Sequence, residues 1–523
     1  MKVAGRPRSP LPVRLAAVLL VAAFLVLVAR FWHPVYGFTR FLQLDSSNDE
    51  LKVDALRTHP VYVYRDTGGY DGLFYVQIAE DPSISDPQLK VAMSDLNYRA
   101  RRILLPALAW LLAGGQSAWI APVYAALNPA AWLLLAWLLW RLLAVDHGRA
   151  LLAWTGVLFS AGALGSVRFA LTDLAALILL LLGLSAAERG RLRGGIGWLA
   201  SAALSRETAL LALGGALPRP WLSRRNLKLV LLASAPLVLW CCYLAWRLGP
   251  APAGWANFSA PFSGWIGKIS SAFAAVAHPG PGETLLAWTN LASLLALTVQ
   301  AVFLLRLFRR NDIWSRAGAM YVALMFCLGP AVWAGFPGAA TRVLLPLTLA
   351  FNLLAVRTRA AIGWLLVGNL TVCSGLLMLR DVHHDPHELA AFHAGNVAVV
   401  ARTDATWYGV ERSSRHTWAW NRGSGALTLE TWPRDNREVR LAFSLRSLTP
   451  VTVTVAQGEI VRWSGKVGPG LASASAVVAV GPGAAPLRFF TDDRPAAESP
   501  EAGARTLAFA VYDLRASLPE PLP

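Results

Sequence analysis

Long uninterrupted apolar runs alternate with short gaps rich in arginine, and this arrangement constrains the chain more than anything else in it. After a first run at Leu15–Phe31, others of near-spanning length lie at about 118–140, 151–167, 169–187, 229–248, 285–305, 317–335, 343–356 and 361–379. A water-soluble fold cannot bury so many such runs in one core, whereas a bilayer accepts them. Of the 523 residues 55% are hydrophobic and only 15% charged, against about 25% charged in soluble domains. Disorder is excluded too, since it needs low hydrophobicity and high charge.

The net charge of +17 would suit a nucleic-acid partner if it formed one face. It does not. Residues 102–379 hold 21 basic and six acidic residues, 33–101 hold seven and ten, and 380–523 hold 15 of each. The surplus lies in gaps between apolar runs, which is the positive-inside pattern of a membrane protein rather than a nucleic-acid footprint. Cys241, Cys242, Cys327 and Cys373 all fall within apolar runs, so no disulfide framework or CxxC metal knuckle is expected.

Sidedness follows from the basic clusters. The first run follows a basic start and offers no small-x-small cleavage site at Val28-Ala29-Arg30, so it is read as a retained span with a cytoplasmic N-terminus. The run 195–217 is flanked by arginine on both sides. A hairpin of two half-length helices, breaking at Ser205-Arg206-Glu207, keeps both ends inside. The run within 102–116 is too short to cross and is expected as a surface helix. The predicted architecture is an all-α polytopic membrane protein of about 9–11 transmembrane helices over 1–380, with a first outer loop at 33–101. A connector at 381–404 leads to an antiparallel β-sandwich over 405–523, outside the membrane. Val451–Val455 and Glu459–Trp463 alternate at period two across a Gly-containing turn, and similar short runs continue to Leu514.

Ionisable groups near a bilayer are costly and therefore suspect. Two of the six acids in 102–379 stand apart: Asp173, in Arg168-Phe-Ala-Leu-Thr-Asp173, and Glu207, beside Arg206. The outer loop adds Asp71 in Gly68-Gly-Tyr70-Asp71-Gly72-Leu-Phe-Tyr75, where a turn opens a helix and a carboxylate can accept backbone N–H groups. Plainer readings stand beside these. Asp71 is a helix cap, Arg206–Glu207 an internal ion pair, Asp173 a cap or a partner of Arg168, and Arg342 a cation reaching the outer surface. His383, His384, His387 and His393 match no zinc spacing. Trp407, Trp418 and Trp420 are available for sugar stacking or for core packing.

The order of these pieces over about 10–380 resembles the GT-C superfamily of membrane glycosyltransferases. A basic start, a first span and an acid opening a surface helix (Tyr70–Ala79) lead to the stretch Tyr98-Arg-Ala-Arg-Arg-Ile-Leu-Leu-Pro106. A later outer Asp and the small-residue hairpin Ser205-Arg-Glu-Thr-Ala209 follow. The likeness is to protein O-mannosyltransferases and lipid A aminoarabinose transferases. It implies a sugar donor on polyprenyl phosphate, a glycan, lipid or protein acceptor, and a place in the inner membrane with the C-terminal domain in the periplasm. It also implies Asp71 and Asp173 as catalytic acids and Arg206 as a substrate-binding residue. The leaving phosphate needs cations, for which Arg342 and Arg206 are the candidates and Arg168 a weaker one, with Tyr70 and Tyr75 as further substrate-binding residues. A divalent cation, Mg or Mn, would sit on Asp71 and Asp173 if one is used. Gly72 stands where the mannosyltransferases carry a second acid. The chemistry expected is in-line displacement of lipid phosphate by an acceptor hydroxyl, with inversion, Asp71 taking the proton and arginines holding the phosphate. The sandwich would bind or present the acceptor. The rival readings are a transporter or flippase of a lipid-linked sugar or small solute, and a non-catalytic envelope scaffold. Internal halves typical of transporters are not visible in the sequence.

Overall fold

A computed structural model describes residues 10–65, 67–250, 257–380, 382, 384–482, 486–501 and 503–518. The chain divides into two compact units. One comprises 1–31, 38–53 and 66–382, and the other 32–37, 54–65 and 383–523.

The first unit is helical. Among the described residues four helices are long and apolar enough to cross a bilayer: Leu11–Ala29, Ser117–Leu143, Arg224–Leu248 and Thr284–Arg310. The pair Gly148–Leu158 and Ala161–Arg168, bent by 42°, makes a fifth if taken as one span. Local signals set their ends. Ser223 caps Arg224–Leu248 by accepting from the Asn226 N–H, and Gly249 ends the helix at φ +89°.

The number of full-length spans falls short of the nine or so expected, for identifiable reasons. Asp312 caps a helix that stops at Cys327, ahead of Gly329-Pro330, so the run 317–335 is not one helix. The run 361–379 is split into Ile362–Gly368 and Thr371–Met378 around Asn369, whose amide exchanges bonds of 2.8 and 2.9 Å with Asn352. The run 169–187 begins its helix only at Asp173, because Ala170 turns left-handed at φ +48°. Helices of 16, 15 and 13 residues at Asp173–Glu188, Ile313–Cys327 and Leu345–Arg357 rise only about 20–24 Å against a ~30 Å hydrocarbon layer.

In the segment 195–217, a helix Leu192–Ser205 ends where Arg206 adopts extended backbone. A six-residue 3₁₀ helix Glu207–Ala212 and a short α-helix Leu213–Ala216 follow. In 102–116, a nine-residue helix spans Leu104–Leu112.

The second unit is a β-sandwich. Its strands are β1 (Glu388–Ala394), β2 (Val397–Thr403), β3 (Glu411–Arg412), β4 (Thr417–Asn421), β5 (Ser424–Trp432), β6 (Arg437–Arg446), β7 (Val451–Gln457), β8 (Ile460–Val467), β9 (Ala472–Val480), β10 (Leu487–Phe490) and β11 (Phe509–Ser517). One antiparallel sheet runs β8-β7-β10-β5-β2-β1 and the other β9-β6-β11-β4-β3. Alternate residues such as Val439, Leu441 and Phe443 on β6, and Val453 and Val455 on β7, meet in the shared core.

Two sequence expectations need correction here. The stretch 381–404 is not a connector, because it supplies β1 and β2. Their residues are buried or half-buried almost throughout, so they lack the alternation that marks a half-exposed strand. Nor is 33–101 one body. Residues 32–37 and 54–65 belong to the second unit, where Tyr36 and Tyr62 pack with Trp432 and Val400. His33 bonds Glu388 at 2.9 Å in the same unit. Trp407 and Trp420 are buried and closed to sugar stacking, while Trp418 is half-buried and stacked on Tyr512. His387 contacts Thr403 and His393 contacts the Pro34 carbonyl, whereas His383 lies outside the described residues.

Candidate functional site

The site is built on the turn before the helix Gly72–Glu80. Asp45 fixes the approach to that turn, accepting from the Thr67 N–H at 2.8 Å, the Thr67 hydroxyl at 2.6 Å and the Ser47 hydroxyl at 2.6 Å. These bonds outweigh burial and pull the Asp45 carboxyl down to about 2. Gly68 and Gly69 then turn at φ +79° and +68°, a conformation glycine adopts freely, and deliver Tyr70 and Asp71.

Asp71 precedes the helix, but its carboxylate makes no cap bond. It turns instead to Arg99 Nη1 at 2.6 Å, and the Arg99 guanidinium lies 3.7 Å over the Phe74 ring. The cap reading is therefore replaced by an ion pair. Burial pushes the Asp71 carboxyl up, yet the Arg342 and Arg99 guanidiniums outweigh it and hold it below the usual 3.8.

Asp173, in the first turn of its helix, has a side chain only 1% exposed. It lies between Arg206, a close ion-pair partner, and Arg342, whose Nη1 is 3.5 Å from Oδ2. Arg342 also donates to the Tyr70 hydroxyl at 2.9 Å, and Tyr70 stacks on Phe169 with centroids 4.1 Å apart. Arg342 is thus a buried bridge and does not reach for the surface. Arg206 pairs with Asp173 rather than with its neighbour Glu207, and Glu207 pairs with Arg102 at 3.4 Å. Arg102 further donates to Tyr75 at 2.7 Å and to Tyr98 at 3.1 Å.

Asp71, Arg99, Arg102, Arg206, Glu207 and Arg342 border one cavity of about 560 Å³. Its polar wall carries Asp71, Arg99, Arg101, Arg102, Arg206 and Arg342, with Glu207 beside them. Phe258, Leu324, Leu328, Val332 and Val343 form an apolar wall. Five arginines against two carboxylates, with Asp173 behind two of the arginines, leave one side of it positively charged and the other oily.

Of the residues singled out from the sequence, Asp71, Arg206 and Arg342 line this cavity. Asp173, Tyr70 and Tyr75 stand one contact behind, through Arg206, Arg342 and Arg102. Arg168 sits apart from these ion pairs, its guanidinium 5.1 and 5.0 Å from the Phe31 and Phe169 ring centroids, and it does not pair with Asp173 among the interactions described. Sequence reasoning missed Arg99, Arg101, Arg102 and Asn257, which donates to Tyr98 at 3.0 Å.

The donor set does not suit a divalent cation. Asp71 and Asp173 are each engaged by guanidinium, and no group of three or more His, Cys, Asp or Glu among the described residues could hold a metal ion. Gly72 gives a steric reason why no second acid follows Asp71. A Cβ there would lie 2.4 Å from the Phe169 carbonyl oxygen and 2.9 Å from that of Leu42. Because both obstacles are backbone, Gly72→Ala is expected to cost about 1–3 kcal/mol by overpacking, read as a lowered melting temperature. A shift of Asp71 that follows would also reduce any activity of the site.

At the far end of the same helix, burial lifts the Glu80 carboxyl to about 7 against a 2.7 Å bond from the Ser117 hydroxyl. An unfolded glutamate releases its proton near 4.5, so the folded chain holds the extra proton between those values and stability falls as pH rises from 4.5 to 7. Glu80→Gln is expected to remove this slope and to raise stability at pH 8 by about 1–3 kcal/mol. Melting curves at pH 5 and pH 8 check it.

No family model, curated protein or solved structure matches this chain.

Proposed function

We propose that the protein is a GT-C-type membrane glycosyltransferase moving a sugar from a polyprenyl-phosphate donor to an acceptor hydroxyl, with its site and β-sandwich on the periplasmic side of the inner membrane. The observation that carries this reading is the cavity itself, where two carboxylates, five arginines and an apolar wall converge. A lipid phosphate needs cations for its head and oil for its tail, and both are within reach of Asp71.

In the proposed step the acceptor oxygen attacks the anomeric carbon as the bond from that carbon to the phosphate oxygen breaks. The acceptor proton passes to Asp71, and polyprenyl phosphate departs with the bond's electron pair. Arg342 and Arg206 neutralise the growing charge on the leaving phosphate, an effect strongest in a site shielded from water. One displacement inverts the anomeric centre. Asp71 is a weak base because Arg342 and Arg99 hold its pKa down, so it takes the proton late, once the new C–O bond is well formed. Asp173, fully buried between two guanidiniums, positions them and does not meet substrate.

Cells with and without the protein distinguish the readings. Mass spectrometry of surface glycans is expected to show loss of one sugar unit when the protein is absent. Unchanged glycans, together with counterflow of an intact lipid-linked sugar in proteoliposomes, would favour a flippase.

A further inference from the structure

The five arginines that line the cavity are not equivalent. Arg99 is paired with Asp71, Arg102 with Glu207, and Arg206 and Arg342 share Asp173. Arg101 makes no ion pair and no hydrogen bond among the described residues. Its Nε is buried without a partner, and its guanidinium stands 5.7 Å from the Tyr98 ring centroid. The undescribed stretch that precedes Asn257 in the chain, Ala251-Pro252-Ala253-Gly254-Trp255-Ala256, contains no acid to pair with it.

The local backbone places this arginine at a border. The helix Leu96–Arg99 ends at Ala100, whose carbonyl accepts from the Trp240 indole at 2.8 Å. That bond ties the segment to the candidate span Arg224–Leu248, on which Leu231, Leu232, Val238 and Leu239 are exposed. The Arg101 charge reaches Cys241, the next residue on the same helix. Arg101 thus stands where the charged cavity meets a helix open to lipid.

We propose that Arg101 captures the phosphate of the incoming lipid-linked donor, an assignment that rests on the transferase reading of the cavity. Asp173 cancels part of the pull of Arg206 and Arg342 on an incoming phosphodiester, yet holds both guanidiniums ready for the charge that grows as the phosphate leaves. No carboxylate cancels the pull of Arg101, and its forked donors suit phosphate oxygens. A partly buried cation without a counter-ion is costly, and an arriving phosphate relieves that cost. Capture and departure therefore fall to different arginines.

Binding to the full-length protein in nanodiscs, read by native mass spectrometry, tests this without any transfer. The two probes are polyprenyl phosphate and polyprenol of the same chain length. Arg101→Gln is expected to weaken polyprenyl phosphate about ten- to a hundredfold, as loss of one hydrogen bond to a charged group does. Polyprenol binding and the melting temperature should stay as in the wild type, because Arg101 has no partner to lose. Arg101→Lys, which keeps the charge without the fork, should recover part of the affinity. Equal weakening of both lipids would make Arg101 a structural support of the cavity, and unchanged phosphate binding in Arg101→Gln would place capture elsewhere. Either result overturns the assignment and leaves the transferase reading standing. A wild-type protein that holds polyprenyl phosphate no better than polyprenol would overturn both.

Discussion

Asp71→Asn is expected to cut sugar transfer by at least 10²–10⁴-fold, the usual loss when a general base is removed, while leaving the protein folded and inserted. The carboxylate makes no cap bond to its helix, so the amide does not unpick local structure. Its main loss is the partly exposed pair with Arg99, whose side chains are 21% and 31% accessible, a stability change of about 1 kcal/mol. The pH profile supplies a second readout. A carboxyl held below 3.8 stays ionised down to that range and stops accepting protons only as pH falls through its lowered value. Transfer is therefore expected to be flat on the acid side between pH 5 and 7. An acid limb near pH 6 that survives in Asp71→Asn would assign the base to another group. Initial rates with a purified donor, together with elution and melting profiles, check both points.

Asp173→Ala should behave differently, losing stability first and activity as a consequence. Its carboxylate is the common partner of Arg206 and Arg342, at 1% exposure. Removing one member of a buried ion cluster leaves uncompensated charge and costs about 3–5 kcal/mol, enough to unfold many domains. The double change Arg206→Leu/Asp173→Leu, which removes a cation with its anion, is expected to recover part of that loss without restoring transfer. A melting temperature for Asp173→Ala close to that of the wild type would show that the cluster is not what holds the two arginines in place.

The apolar runs and the period-two alternation of the tail were legible because each depends on local spacing. The strands Arg437–Arg446 and Val451–Gln457 could be read from sequence, whereas Val397–Thr403, buried almost end to end, could not. Within the site Asp71 was legible, lying between glycines that the close approach of Phe169 and the left-handed turn require. The partners of Asp173 were not. Arg206 and Arg342 stand 33 and 169 residues away, whereas proximity in sequence offered only Arg168 as a partner. One signal was present but unused. Arg99, Arg101 and Arg102 fall in a segment expected outside the membrane, against the usual placement of basic charge. Cations that break that bias invite a ligand, and these line the cavity.

The most direct measurement of the central claim uses purified wild-type protein in vesicles with a panel of polyprenyl-phosphate sugars and a mixed pool of acceptor glycans and lipids. We expect one donor to be consumed, with free polyprenyl phosphate released in step with an inverted glycosidic product, and Arg342→Ala to slow that release. Every donor staying intact, or polyprenyl phosphate appearing at the same rate with Arg342→Ala, would contradict a site in which these arginines hold the departing phosphate.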